Sequence, residues 1–354
     1  MNRIINILKK KKFLPLDKFI DISLYDKDHG YYMKKNPFGK KGDFITSPII
    51  SKLFSEMIAV WCVSFWEHLK KPKKILIVEL GPGDGSLCKD LLKAFIKFDS
   101  FYKSLKINLL EKSLELKKIQ KLKINNKKVE WIKSISEIKQ GPIIFIGNEF
   151  FDALPIKQFY KKEGVFFEKY VTLTKNNEEL KFLYKKKNKR FIKYPGILKT
   201  NVKNKLIEYP EAAIEYLLSI TKKLKKFNGS ILVFDYGYIK SDGKNTLKAI
   251  SKHKLKKITY NPGNSDISSH INFKLFFDIL KKNNLDVEKI ITQNEFLQKM
   301  GILERANILA KKMTFTAKAN MYFRLKKLLS SNEMGNIFKV LYAKKKGKSF
   351  SIGF

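Results

Sequence analysis

Four runs of almost continuously apolar residues govern what this chain can build: KKILIVEL (73–80), KINLLEKS (106–113), GPIIFIGNEFF (141–151) and GSILVFDYGY (229–238). A strand with one wet face alternates apolar and polar residues, so strands apolar at nearly every position must be covered on both sides. Helix-patterned stretches, SLCKDLLKAFIKF and LELKKIQKLK, separate the early runs, and VEWIKS adds a short strand. Strands alternating with helices imply a parallel sheet between helical layers. The expected fold is therefore α/β, a doubly wound Rossmann-like sheet.

Residues 1–72 read as a mainly helical region, with IISKLFSEMIAVWCVSFWEHL at helical spacing. The sheet core takes 73–155 and 229–354. Residues 156–228 form an inserted α+β subdomain, with strand-like pieces parted by Gly and Asn-Asn turns and then helical PEAAIEYLLSITKKLKKF. The last third reads as a helix, INFKLFFDILKKNNL, a strand-like DVEKIITQ, and lysine-rich helices to the end.

The first apolar run ends in GPGDG, with glycines at Gly81, Gly83 and Gly85 just before a helix. A dinucleotide-binding loop would place its third glycine one position later. Glu79 precedes the loop and Asp84 lies inside it, where a pyrophosphate would be repelled. A nicotinamide dehydrogenase is disfavoured on both counts. A ligand with cationic groups, a ribose diol and no phosphate fits better, which describes S-adenosyl-L-methionine. Glu111 ends the second run and belongs at the neighbouring strand's C-terminal edge, within reach of that diol.

The third run leads into NEFFDALP, where Asn148, Glu149 and Asp152 surround two phenylalanines. Such a carboxylate cluster is notable in a chain of formal net charge +40, with 73 basic and 33 acidic residues. Arginine occurs only as Arg3, Arg190, Arg305 and Arg324. Specific base readout favours arginine, and the lysines are spread along the whole chain, so no specific nucleic-acid partner is expected. No apolar stretch is long enough for membrane insertion. Cys62 and Cys88 form no metal or disulfide spacing, which suits a reducing compartment. The start, MNRIINILKKKKFLPL, reads as that of a cytoplasmic protein rather than a signal segment.

Six blocks in this order resemble the MidA-like proteins over nearly the whole chain: GYYMKKNPFGKKGDFITSP, VELGPGDGSLCKDLL, NEFFDALPIKQF, FDYGY, PGNSDISSHINF and MGNIFKVL. The GDF-T-P and NEFFDALP blocks are the specific ones. Departures occur at Ile49, Lys52, Asn245 and Ser268, outside the glycine loop. The resemblance implies a class I S-adenosyl-L-methionine-dependent methyltransferase that modifies arginine on a protein, the NuoD-like subunit of respiratory complex I. It places the protein in the bacterial cytoplasm, or in the mitochondrial matrix of a eukaryote, and allows a homodimer.

On that reading Glu79, Gly81, Gly83, Asp84, Gly85, Glu111 and Asn148 hold the methyl donor. Glu149, Asp152, Asp235 and, from the N-terminal region, Asp43 grip the substrate guanidinium. Guanidinium stays protonated near neutrality and its planar fork is matched by carboxylates; no metal is required. The alternatives are a methyltransferase acting on a small molecule or RNA, and an assembly factor that binds S-adenosyl-L-methionine without turnover.

Overall fold

The computed structural model describes residues 2–34, 37, 47–176, 179–187 and 206–354. The chain opens with α1 (Asn2–Lys11), β1 (Leu14–Pro15), α2 (Leu16–Tyr25), α3 (Tyr31–Lys34), α4 (Ser47–Ile50) and α5 (Lys52–His68). The first half of the sheet follows: β2 (Ile75–Leu80), α6 (Ser86–Phe95), α7 (Asp99–Ser104), β3 (Leu105–Leu110), α8 (Leu114–Ile124), β4 (Val129–Ile132) and β5 (Ile143–Asn148). Next come β6 (Lys157–Lys162), β7 (Val165–Leu173), β8 (Leu180–Lys187), β9 (Leu206–Tyr209), α9 (Glu211–Phe227) and β10 (Gly229–Tyr238). Short strands follow, β11 (Lys248–Ser251), β12 (Lys254–Lys256), β13 (Asp266–Ser268) and β14 (Ile271–Asn272), then α10 (Phe273–Lys282). The last elements are β15 (Leu285–Val287), β16 (Ile291–Thr292), α11 (Gln293–Lys299), α12 (Ile302–Ala310), α13 (Phe315–Leu329), α14 (Met334–Ile337) and β17 (Phe338–Lys345).

The main sheet runs β15-β17-β10-β5-β2-β3-β4, with β14 beside β10 and β16 beside β17. Strands β10, β5, β2, β3 and β4 are mutually parallel. The chain moves outward from β2 to β4 and returns to β5 on β2's other side. This reversal opens a crevice beyond the C-terminal ends of β2 and β5, where ligands bind in such sheets. The glycine loop and NEFFDALP therefore meet there.

Alternation within β2 shows why its run is apolar everywhere but Glu79. Ile75 and Ile77 join the core packed by α5, α6 and α11–α13, whereas Leu76, Val78 and Leu80 join the core packed by α9 and α10. Helix α9 lies within the segment expected as the insertion, yet Ala213, Leu217, Ile220 and Leu224 pack it on the main sheet. Strands β6–β9 form a separate sheet in the order β7-β6-β9, with β8 and β1 both paired to β7. Helices α1 and α2 cover that sheet through Ile4, Leu8, Phe19 and Ile20.

The expected run of helices to the C-terminus is corrected by β17. It lies antiparallel between β10 and β15, with Phe338 opposite Tyr236 and Lys345 opposite Leu285. Its lysines mislead because Lys344 is buried and paired with Asp286 at 2.9 Å. Among the described residues no helix is long and apolar enough to cross a membrane.

Candidate active site

The crevice holds a cavity of about 930 Å³, its open mouth included, and a second lobe of about 380 Å³. Gly81, Gly83 and Glu149 line both, so the lobes share a wall. The larger lobe adds Glu111, Asp152, Asp266 and the tyrosines 25, 32, 216 and 236. The smaller adds Glu79, Asp84 and Asn148.

The glycine loop is shaped by backbone demands. Gly81, Gly83 and Gly85 have φ of 59°, 54° and 79°, a region that side chains disfavour. A Cβ built on Gly81 would fall 2.7 Å from the Phe150 ring. The loop's bare backbone is what leaves the lobes open. Gly85 begins α6, and Asp84 braces that start by accepting from the Ser86 N–H at 3.0 Å. Asp84 is also ion-paired with Lys123, so its charge is already matched within the protein.

Glu111 follows β3. Its Oε1 accepts from the Ser113 N–H at 2.8 Å and its Oε2 from the Gln120 amide at 3.0 Å. Burial raises its pKa while these donors oppose the rise.

After β5 the chain turns sharply at Glu149, whose φ of 51° is unusual for a residue with a side chain. The turn is fastened by the Glu149 N–H donating to the Phe234 carbonyl at 2.9 Å. The Glu149 carboxylate accepts from the Ser47 N–H at 3.3 Å and the Asn148 amide at 3.2 Å. Backbone strain held in place by surrounding bonds is characteristic of functional positions.

Asp152 is 7% exposed, and its Oδ1 has no partner among the described residues. Tyr236 lines the same cavity, and burial, then the charge of Asp152, raise its pKa well above the usual value. Asp266, 4% exposed, accepts from Tyr32 at 2.7 Å. Asp235 differs from these. It is fully buried, Oδ2 takes the N–H groups of Phe151 and Asp152 at 3.1 and 3.3 Å, and Oδ1 takes that of Tyr236 at 2.9 Å. It does not line the cavity. It fastens the NEFFDALP turn, whereas at the level of sequence it stood as a substrate contact. Asp43 lies outside the described residues. Asp266, Tyr25, Tyr32 and Gln120 were not singled out from the sequence. Asp266 and Tyr32 carried a signal, inside the PGNSDISSHINF and GYYMKKNPFGKKGDFITSP blocks.

Crowding of acids shifts them together. Burial first, then Asp84 and Glu111, push Glu79 up to about 8. Burial and Asp152 push Glu149 up to about 8, and burial pushes Asp152 up to about 6. Asp235 is raised well above its usual value by burial, Asp152 and Glu149. A cluster held short of ionisation by desolvation and mutual repulsion is relieved by a cation. The unfolded chain releases the Glu79 and Glu149 protons near 4.5, whereas the folded protein keeps them to about 8. Stability should therefore fall as pH rises from 4.5 to 8 and level off above. Melting curves of ligand-free protein should show Tm dropping across that window, with a shallower drop in Glu79→Gln. A flat or rising Tm would refute the assignment.

The residues present suit S-adenosyl-L-methionine. Glu79 Oε2 and Asn148 Oδ1 are buried acceptors in the smaller lobe, without partners among the described residues, and suit an ammonium. Glu111 can accept from a ribose diol, and the glycines admit a close backbone approach.

Comparison with known proteins agrees. Residues 57–291 match the family described as "Putative S-adenosyl-L-methionine-dependent methyltransferase". The chain is 27% identical over 365 residues to the mitochondrial protein arginine methyltransferase NDUFAF7 of Xenopus tropicalis, covering 96% of this chain and 84% of that one. It is 33% identical over 303 residues to the Caenorhabditis elegans homologue of that protein, covering 78% and 70%. A crystal structure from Burkholderia thailandensis, bound to S-adenosyl-homocysteine, shares the fold at a TM-score of 0.82 and 20% identity, covering 98% of this chain and 92% of that one.

Proposed function

The chain belongs to the MidA-like family of S-adenosyl-L-methionine-dependent methyltransferases, and from that premise we propose that it methylates arginine side chains of a protein. S-adenosyl-L-methionine supplies a methyl group on a cationic sulfur, which needs no metal to be electrophilic. Gly81 and Gly83 border it with bare backbone, Glu111 takes the ribose hydroxyls, and Glu79 with Asn148 takes the ammonium.

The observation that carries the arginine reading is Asp152 Oδ1, buried and unpartnered in a cavity also lined by Glu149 and Asp266. Three carboxylates around one space match a planar cation with several N–H donors. Tyr25, Tyr32 and Tyr236 add ring surface, which attracts cations. Ligand binding in so anionic a space disfavours an RNA substrate. The reacting nitrogen must shed one proton. Burial and Asp152 raise Glu149 to about 8; the entering guanidinium favours its ionised form, and the carboxylate so formed accepts that proton. Asp235 acts one step back, by holding the turn that carries Asp152. The relatives are named protein arginine methyltransferases, and the NuoD-like subunit of respiratory complex I is the first protein to examine.

The test is transfer of label from radioactive S-adenosyl-L-methionine into a lysate of cells lacking this protein. Label should resist RNase, disappear with protease, and map by mass spectrometry to arginine, on the NuoD-like subunit first. Label in RNA, in small molecules or on lysine would overturn the proposal.

A further inference from the structure

Gln120, on α8, is fully buried and belongs to none of the six sequence blocks that identify the family. Its side-chain nitrogen donates to the Gly83 carbonyl at 2.7 Å and to Glu111 Oε2 at 3.0 Å. Its carbonyl oxygen accepts from the Trp131 indole N–H at 2.8 Å. The amide's orientation is dictated by its partners. An indole nitrogen only donates, whereas a peptide carbonyl and a carboxylate only accept. One side chain therefore ties the loop after β2 to the carboxylate after β3, and Trp131 on β4 locks it.

We propose that Gln120 is the positioning residue of the adenosyl site, setting the spacing between the glycine loop and the ribose carboxylate and keeping Glu111 an acceptor. The inference rests on the reading that Glu111 holds the ribose. Removing the Gln120 donor leaves Glu111 with the Ser113 and Lys112 N–H groups against burial. Its other charged or titratable neighbours are Glu79 from β2, Lys117 from α8 and Tyr25 from α2. Glu111 then protonates at a higher pH and loses an acceptor for the diol.

Gln120→Met keeps the length and removes the hydrogen bonds. Calorimetry should show S-adenosyl-homocysteine binding weakened about 10- to 100-fold, the size expected when buried polar partners are orphaned. The loss should grow as the pH falls, and in turnover it should lie on KM for the methyl donor more than on kcat. Affinity within twofold of the unaltered protein, or a loss that does not grow as the pH falls, overturns the inference. If Gln120→Met does not fold, Trp131→Phe serves instead. It removes only the lock and should weaken binding several-fold, and unchanged affinity there also overturns the proposal. Glu111→Ala is the separate control. Intact affinity in that variant overturns the ribose assignment itself.

Discussion

Glu149→Gln will bind S-adenosyl-L-methionine at near-native affinity and lose methyl transfer by about a hundred- to ten-thousand-fold, the range of a general base. Glutamine preserves the shape of the side chain and can still accept from the Ser47 N–H that meets Glu149 now. It cannot take up a proton or offset a guanidinium charge. The strained φ of 51° is the same for either residue, so the fold should survive, and the melting temperature checks this. Calorimetry gives the affinity and labelled-donor turnover gives the rate. A kcat within a few-fold of the unaltered protein removes Glu149 from the chemistry, and the burden would then pass to Asp152 or Asp266.

Gly81→Val should abolish donor binding by a different route. The position sits at φ 59° with the Phe150 ring 2.7 Å from any Cβ. Phe150 is itself braced edge-on by Phe151 and Tyr216, at centroid distances of 5.1 Å each, so it has little freedom to retreat. A β-branched residue there is strained by about 1–3 kcal/mol and also fills the space shared by the two lobes. Circular dichroism should report a folded protein with a lowered melting temperature, and affinity for S-adenosyl-homocysteine should fall at least about a hundredfold, more than 2.7 kcal/mol. A folded Gly81→Val with intact affinity defeats the assignment of this loop. Gly83→Val, at φ 54° on the same wall, gives a second reading of the same point.

How much of this was legible beforehand differs by element. Strands β2, β5 and β10 announced themselves because burial on both faces demands apolar residues at successive positions. Strand β17, FKVLYAKK, did not. Its partners are far away in sequence, and Lys344 is apolar in effect only because Asp286 meets it. The site divides in the same way. The residues 79–85, 111, 148–149 and 152 are displayed by strand ends, and strand ends can be read from periodicity. Asp266, Tyr25 and Tyr32 stand on β13, α2 and α3, short elements outside the main sheet whose approach to the crevice no local pattern predicts. Asp235 was readable as a carboxylate at a strand end, but its use was not. Only the folded turn shows that three backbone N–H groups have already claimed it.

The placement of β17 governs when the sheet behind the site can be closed during synthesis. Asp235 and Tyr236 stand on β10, and their neighbours across the ladder, Lys339 and Phe338, belong to β17. As the polypeptide emerges from the ribosome, β10 has one edge paired to β5 and the other, along residues 230–236, bare. A bare edge is an open template for other strands. The growing chain must shield that edge until β17 arrives, so the outer edge of β10, beside Asp235 and Tyr236, is closed only when nearly the whole polypeptide has been made.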